Sequence, residues 1–182
     1  MSSAIGLVEY RTISTGLRAA DILIKAAEVE VLDAHPVCPG KYVILVSGKL
    51  GSVKAAVEAA KTNFPEMLVD SFVLGNPHES IFSAMFGAAE FGEVEALGIV
   101  ETFSVAGAIV AADVAAKTAE VRLVELRLAN GMAGKSYVLF TGDVAAVTAA
   151  VEKAIAAVSE DGMCLDSAII PRPDKKLWET IV

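Results

Sequence analysis

Cysteine is scarce in this chain, 2 of 182 residues, which is too few for a disulfide framework and points to a reducing compartment. Aromatic residues make up only 6%, so the apolar content of 54% is carried by Ala, Val, Ile and Leu. Such an excess of small aliphatic side chains suits thin, tightly packed layers or extensive subunit contacts. No apolar run approaches the roughly 18 residues that a membrane helix needs. The opening Met1-Ser2-Ser3-Ala4-Ile5-Gly6-Leu7 has neither a basic region nor an apolar core of signal-peptide length. A cytoplasmic location with no membrane partner is therefore expected. Basic blocks are missing too: 15 Lys and Arg stand against 23 Asp and Glu, a net charge of −8, which excludes nucleic acid as a partner because nothing could displace its counterions. Charged residues still reach 21%, the composition of a globular chain. Catalytic patterns are likewise absent. There is no Ser/His/Asp set, no paired-carboxylate constellation and no Gly-x-x-x-x-Gly-Lys-Ser/Thr, since Gly40-Lys41 and Gly134-Lys135 open strands and not helices. No enzyme is expected.

What the chain does contain is a repeat. Ala4-Ile5-Gly6-Leu7-Val8-Glu9 returns as Ala96-Leu97-Gly98-Ile99-Val100-Glu101, an offset of 96 − 4 = 92. The same offset carries Asp21 onto Asp113, Lys25 onto Lys117 and Ala27-Glu28-Val29 onto Ala119-Glu120-Val121. It grows to 94 at Gly40-Lys41 and Gly134-Lys135, and to 96 at Val69-Asp70-Ser71 and Leu165-Asp166-Ser167. Chance similarity would not stay collinear with steps only at loops. The chain is a duplicated module, expected as domains 1–92 and 93–182.

Both copies show the same order of elements. A strand (5–8; 97–100) precedes a helix whose apolar positions are Leu17, Ala20, Ile24 and Ala27, or Ile109, Ala112, Ala116 and Ala119, at helical spacing. A strand near 29–32 (121–128) leads through a Gly-containing loop to an apolar strand, 42–46 (137–140). A second helix near 53–60 (147–157) and a last strand, 67–74 (163–170), complete each copy. Residues 83–95, with Gly87 and Gly92, are expected to hold a short helix and the linker. The β-α-β-β-α-β order predicts an α/β (α+β) fold: two antiparallel sheets, each covered by helices on one face. That fold serves many unrelated functions. Only particular residues can narrow them.

Those residues resemble a known family. The opening Ala4-Ile5-Gly6-Leu7-Val8-Glu9, the helical Asp21-x-x-x-Lys25, the loop ending Gly40-Lys41 and the closing Ile169-Ile170-Pro171-Arg172-Pro173 are similar to the bacterial microcompartment shell domain. Two unpermuted copies resemble its tandem class, and the loop His35-Pro36-Val37-Cys38-Pro39-Gly40-Lys41 resembles the PduT-type subclass of propanediol-utilisation compartments. The resemblance covers about residues 4–178. It implies a homotrimer that closes into a six-domain pseudohexameric tile, joins other shell proteins, and lines a central pore with the loop after each second strand. That loop holds His35, Pro36, Val37, Cys38, Pro39 and Gly40 in the first repeat, and Gly131, Met132 and Gly134 in the second.

The resemblance further implies a [4Fe-4S] cluster, one per trimer, held by Cys38 from three chains, with a lumenal or cytosolic redox enzyme as a further partner. Clusters are normally held by four thiolates, so three would leave one iron site for another ligand. Pro36 and Pro39 restrict the backbone beside the thiol, and the second repeat's loop is longer and lacks Cys. A lone Cys is otherwise a small hydrophobe, the reading that fits Cys164. His35 is a rim residue of the pore or a further iron ligand. Lys25 and Lys117 resemble the family's tile-edge lysine, although each also stands i, i+4 from an Asp, where a simple surface pair forms. Arg172 resembles its edge arginine, with Asn76 in that place in the first repeat; His78 is an edge or interface residue. Glu9 and Glu101 end first strands, where a fold-stabilising bond is expected. Three functions stay open: a redox tile, a tile with an unliganded pore for metabolites, and a cytosolic regulatory trimer with effector sites between subunits.

Overall fold

A computed structural model describes residues 4–89, 94–159 and 162–181. The first unit contains β1 (Ala4–Tyr10), α1 (Ile13–Ala26), β2 (Glu30–Val37), β3 (Lys41–Gly48), α2 (Leu50–Asn63), a short 3-10 turn at Pro65–Met67, and β4 (Leu68–Leu74). After α3 (Ser80–Met85), the same order returns as β5 (Ala96–Thr102), α4 (Val105–Thr118), β6 (Arg122–Leu128), β7 (Ser136–Gly142), α5 (Val144–Ser159) and β8 (Cys164–Pro171), followed by α6 (Lys175–Ile181). The sheets have the orders β2-β3-β1-β4 and β6-β7-β5-β8, antiparallel throughout.

Irregularities repeat as faithfully as the strands do. A register shift between Val31 and Asp33 on β2 recurs between Leu123 and Glu125 on β6. Another, between Glu9 and Tyr10, recurs between Glu101 and Thr102. Helix caps follow suit. The Thr12 hydroxyl accepts the Thr15 N–H at 3.4 Å, and the Ser104 hydroxyl accepts the Gly107 N–H at 3.0 Å, each satisfying a donor that a helix start leaves open.

In the first unit the even-numbered residues of β1 face the helices. Ala4, Val8 and Tyr10 pack there with Ile44, Val46, Leu23, Val53 and Val57. Gly6 lies on this face because a Cβ would come within 2.6 Å of Val53 and 2.8 Å of Val57. Its counterpart Gly98 meets a different neighbour: a Cβ there would sit 2.4 Å from the Phe140 ring. On the other face of the second sheet, Leu97, Val124 and Leu139 pack with Trp178 and Ile181 of α6.

Two expectations need correction. The buried stripe of α1 is Thr15, Gly16, Ala19 and Leu23, whereas Leu17 and Ile24 are 54% and 48% exposed. The helix carries two apolar stripes, and the sheet takes the one with small residues because Gly16 must fit against Tyr42. Second, β2 runs to Val37, so His35, Pro36 and Val37 are strand residues and the loop proper is shorter. The compact units divide between Pro77 and His78, with α3 in the second. Gly92 and the expected boundary at 92/93 lie outside the described residues.

Candidate functional site

The β2–β3 connection is a tight turn. The Gly40 N–H donates to the Val37 carbonyl at 2.9 Å, the Cys38–Pro39 peptide bond is cis, and Gly40 has φ 99, a left-handed conformation that glycine adopts without steric cost. Val37 is buried and anchors the turn, while Cys38, Pro39 and Gly40 are exposed. Cys38 is a free thiol at the apex. Directly after it, Lys41 pairs with Glu9, whose carboxylate is buried at the end of β1. A buried carboxylate needs such a partner, so Glu9 holds the base of the turn to the neighbouring strand.

His35 does not share the exposure of Cys38. It stands opposite Val43 on the sheet, its Nδ1 lies 2.9 Å from Asp33 Oδ2, and its Nε2 is buried with no partner among the described residues. The second repeat places Glu125 and Arg127 at the equivalent positions. Arg127 donates through Nε and Nη2 to Glu125, at 2.9 and 2.6 Å, and the Tyr137 hydroxyl donates to the other Glu125 oxygen at 2.6 Å. The bond to Glu125 holds the Arg127 guanidinium above its usual range. Burial and that same carboxylate push the Tyr137 phenol up to about 12.

The second connecting loop is wider. Ala129, Gly131, Ala133 and Gly134 all have positive φ, the Met132 N–H donates to Ala129 and the Lys135 N–H to Met132, and the Ser136 hydroxyl accepts the Ala129 N–H at 3.0 Å. Gly131 is exposed, Met132 half-buried and Gly134 buried. The loop holds no thiol.

The chain thus offers one exposed thiol among the described residues. Among the described residues no three His, Cys, Asp or Glu gather as a metal site, and Cys164 is half-buried on β8. A cluster needing several thiolates does not fit a single chain; it fits only an arrangement in which Cys38 residues of several chains converge.

The other expected residues lie elsewhere. Lys25 Nζ bonds Asp21 at 2.7 Å, with side chains 73% and 60% exposed. Lys117 bonds Asp113 at the same distance, but Asp113 is only 9% exposed, and its Oδ1 also accepts the His78 N–H at 2.8 Å. Asn76 and Arg172 occupy matching left-handed turns, φ 55 and 51, just beyond β4 and β8.

A family signature described as "BMC domain" matches residues 4–77 and again 96–173, the two units found in the fold. This chain belongs to the BMC-domain shell proteins of bacterial microcompartments. It is 40% identical to the bacterial microcompartment shell protein PduT of Citrobacter freundii, over 100% of this chain and 99% of that one. A crystal structure of a microcompartments protein from Desulfitobacterium hafniense superposes with a TM-score of 0.93 at 45% identity, covering 98% and 99% of the two chains. The carboxysome shell protein CsoS1 of Prochlorococcus marinus is 34% identical over 47% of this chain and 85% of its own, as a one-module relative of a two-module protein should be. Membership makes the chain a structural component and not an enzyme.

Which signals were missed? Nothing in the spacing marked Asp113 as a buried anchor for the segment after the first repeat, because Asp21-x-x-x-Lys25 and Asp113-x-x-x-Lys117 read alike. The nearest clue was compositional: Leu17 and Ile24 in the first helix become Ile109 and Ala116 in the second.

Proposed function

We propose that this protein is a tile of a microcompartment shell, three chains closing a ring of six BMC domains around a pore, with Cys38 of each chain contributing to one [4Fe-4S] cluster on the axis. The observation that carries this reading is the free, exposed thiol at the apex of the first repeat's turn, set against a second repeat whose loop has none. Alternating repeats then supply three thiols and not six. Rotational symmetry converts one ligand per chain into a set. When bound, such a cluster exchanges single electrons, which would let the tile pass reducing equivalents through the shell to a redox partner on either side. The chain's own contribution is rigidity. The Gly40–Val37 bond, buried Val37 and the Lys41–Glu9 pair fix where each thiol stands.

Lys25, Lys117, Arg172 and Asn76 are exposed and face neighbouring tiles in this reading, with His78 bound to Asp113, the partner of Lys117. A ring with an unliganded pore for small metabolites is the second reading, favoured by the lack of a multi-ligand metal group among the described residues of one chain.

Anaerobic reconstitution with iron and sulfide separates the two. The redox tile binds about four irons per trimer and absorbs near 400 nm. Cys38→Ser falls to background because a hydroxyl is a poor substitute for a soft thiolate, while Cys164→Ser keeps its colour. Equal iron in wild type and Cys38→Ser would leave the open pore as the better account.

A further inference from the structure

The two repeats differ where their first helices face outward. On α4, Val105, Ile109, Ala112 and Asp113 form one stripe and are 1%, 0%, 0% and 6% exposed. The segment that follows β4 lies against this helix. The His78 backbone N–H donates to Asp113, and α3 packs against α4 and β6 with Ile81 and Ala84 buried. The equivalent stripe on α1, at the offset of 92, is Ile13, Leu17, Ala20 and Asp21. Ile13 and Leu17 are 42% and 54% exposed, and Ile24 beside them 48%.

The second repeat carries a counterpart of the covering segment. At the offset of 96, Asn76 and Pro77 become Arg172 and Pro173, His78 becomes Asp174, and Ile81 becomes Leu177. The local geometry is the same. Asn76 and Arg172 share the left-handed turn. His78 Nδ1 accepts the Ser80 N–H at 3.3 Å, and Asp174 Oδ1 accepts the Lys176 N–H at 2.8 Å, so each side chain takes up an N–H two residues on, at the start of the helix that follows. Ile81 is 0% exposed, whereas Leu177 is 43% exposed. A covering segment without its helix and a helix without its cover are present in one chain.

We propose that residues 172–181 of one chain dock on α1 of a second copy, with Leu177 buried against Leu17 and Ile24 as Ile81 is buried in the second unit, and with the Asp174 backbone N–H donating to Asp21 as that of His78 does to Asp113. The contact is head-to-tail, since the two surfaces differ, and such contacts close into rings or run on as filaments. The inference rests on the ring reading above and names the surfaces that join its chains. Each contact covers three apolar side chains that are now about half exposed, and it engages Asp21 while Lys25 keeps its pair with that carboxylate at the rim.

Sedimentation of wild type, Leu17→Asp and Leu177→Asp tests it, together with disulfide trapping. In a Cys38→Ser, Cys164→Ser background, the pair Leu17→Cys with Leu177→Cys should give oxidised dimers and trimers on a non-reducing gel, and neither single replacement should give any. Each Asp variant should raise the concentration at which the trimer forms roughly tenfold or more, with an unchanged circular dichroism spectrum. Monomeric wild type at micromolar concentration would overturn the ring itself. A wild-type trimer that survives both Asp variants, or cross-links from a single replacement, would overturn this contact and leave the ring standing.

Discussion

Two helices of equal length, α1 and α4, begin with the same kind of cap and carry the same Asp-x-x-x-Lys, yet they have different surroundings. Asp21 is an exposed partner of Lys25. Asp113 is buried, and it holds both Lys117 and the backbone of His78. The comparison teaches that a repeated sequence motif need not repeat its energetics. The same four-residue spacing is worth a few tenths of a kcal/mol on an exposed helix face, and more where a buried carboxylate also satisfies a partly buried backbone donor.

The largest expected effect follows directly. Asp113→Ala should destabilise the second unit by about 1–3 kcal/mol, because it strands the His78 N–H, while Asp21→Ala in the isolated chain should stay within about 0.5 kcal/mol. Guanidinium unfolding of the two variants under conditions that keep the chain monomeric measures the difference. Equal losses would erase the contrast between the repeats.

A smaller effect is expected at the phenols. The Tyr10 hydroxyl donates to the Ala60 carbonyl at 2.7 Å inside the first unit's core; Thr102, its counterpart, donates to Ser104. Tyr10→Phe should therefore cost about 1 kcal/mol with no parallel in the second unit. Burial pushes Tyr10 up to about 12, and burial with Glu125 does the same for Tyr137. The folded chain thus resists ionisation more than the unfolded chain, whose phenols titrate near 10.0. The stability contributed by the neutral phenols is complete below about pH 10 and is lost as pH rises toward 12. Denaturant midpoints taken from pH 8 to 12 should fall across that window, and less steeply in Tyr10→Phe.

The smallest effect on folding is expected for Lys25→Ala and Lys117→Ala. Both side chains are substantially exposed, at 73% and 41%, so stability should change by less than about 0.5 kcal/mol. Electron microscopy of the double variant should show fewer flat sheets. Undiminished sheets would reduce both lysines to partners of their aspartates.

Much of this was legible in the residues. The collinear repeat gave the duplication, and period-two and helical spacing gave the strands and helices of each copy, since backbone geometry imposes those periods wherever a face is buried. The glycines at 6 and 98 were visible as a pair, but not their reasons, one lying under Val53 and Val57 and the other under Phe140. Both stripes of α1 are apolar, and spacing cannot say which one a sheet will take. His35 was placed with Cys38 in the loop, while the backbone keeps it in β2 and turns it toward Asp33.

By itself the sequence determined the duplicated module, its order of elements, the lone Cys in one loop of two, and the family to which these belong. All are local or collinear properties, written in spacing and repetition. Only the tertiary structure decided which apolar stripe faces the sheet, which Asp is buried, and which segment covers which helix. Those outcomes depend on neighbours distant in the chain, and a motif of four residues carries no record of what packs against it.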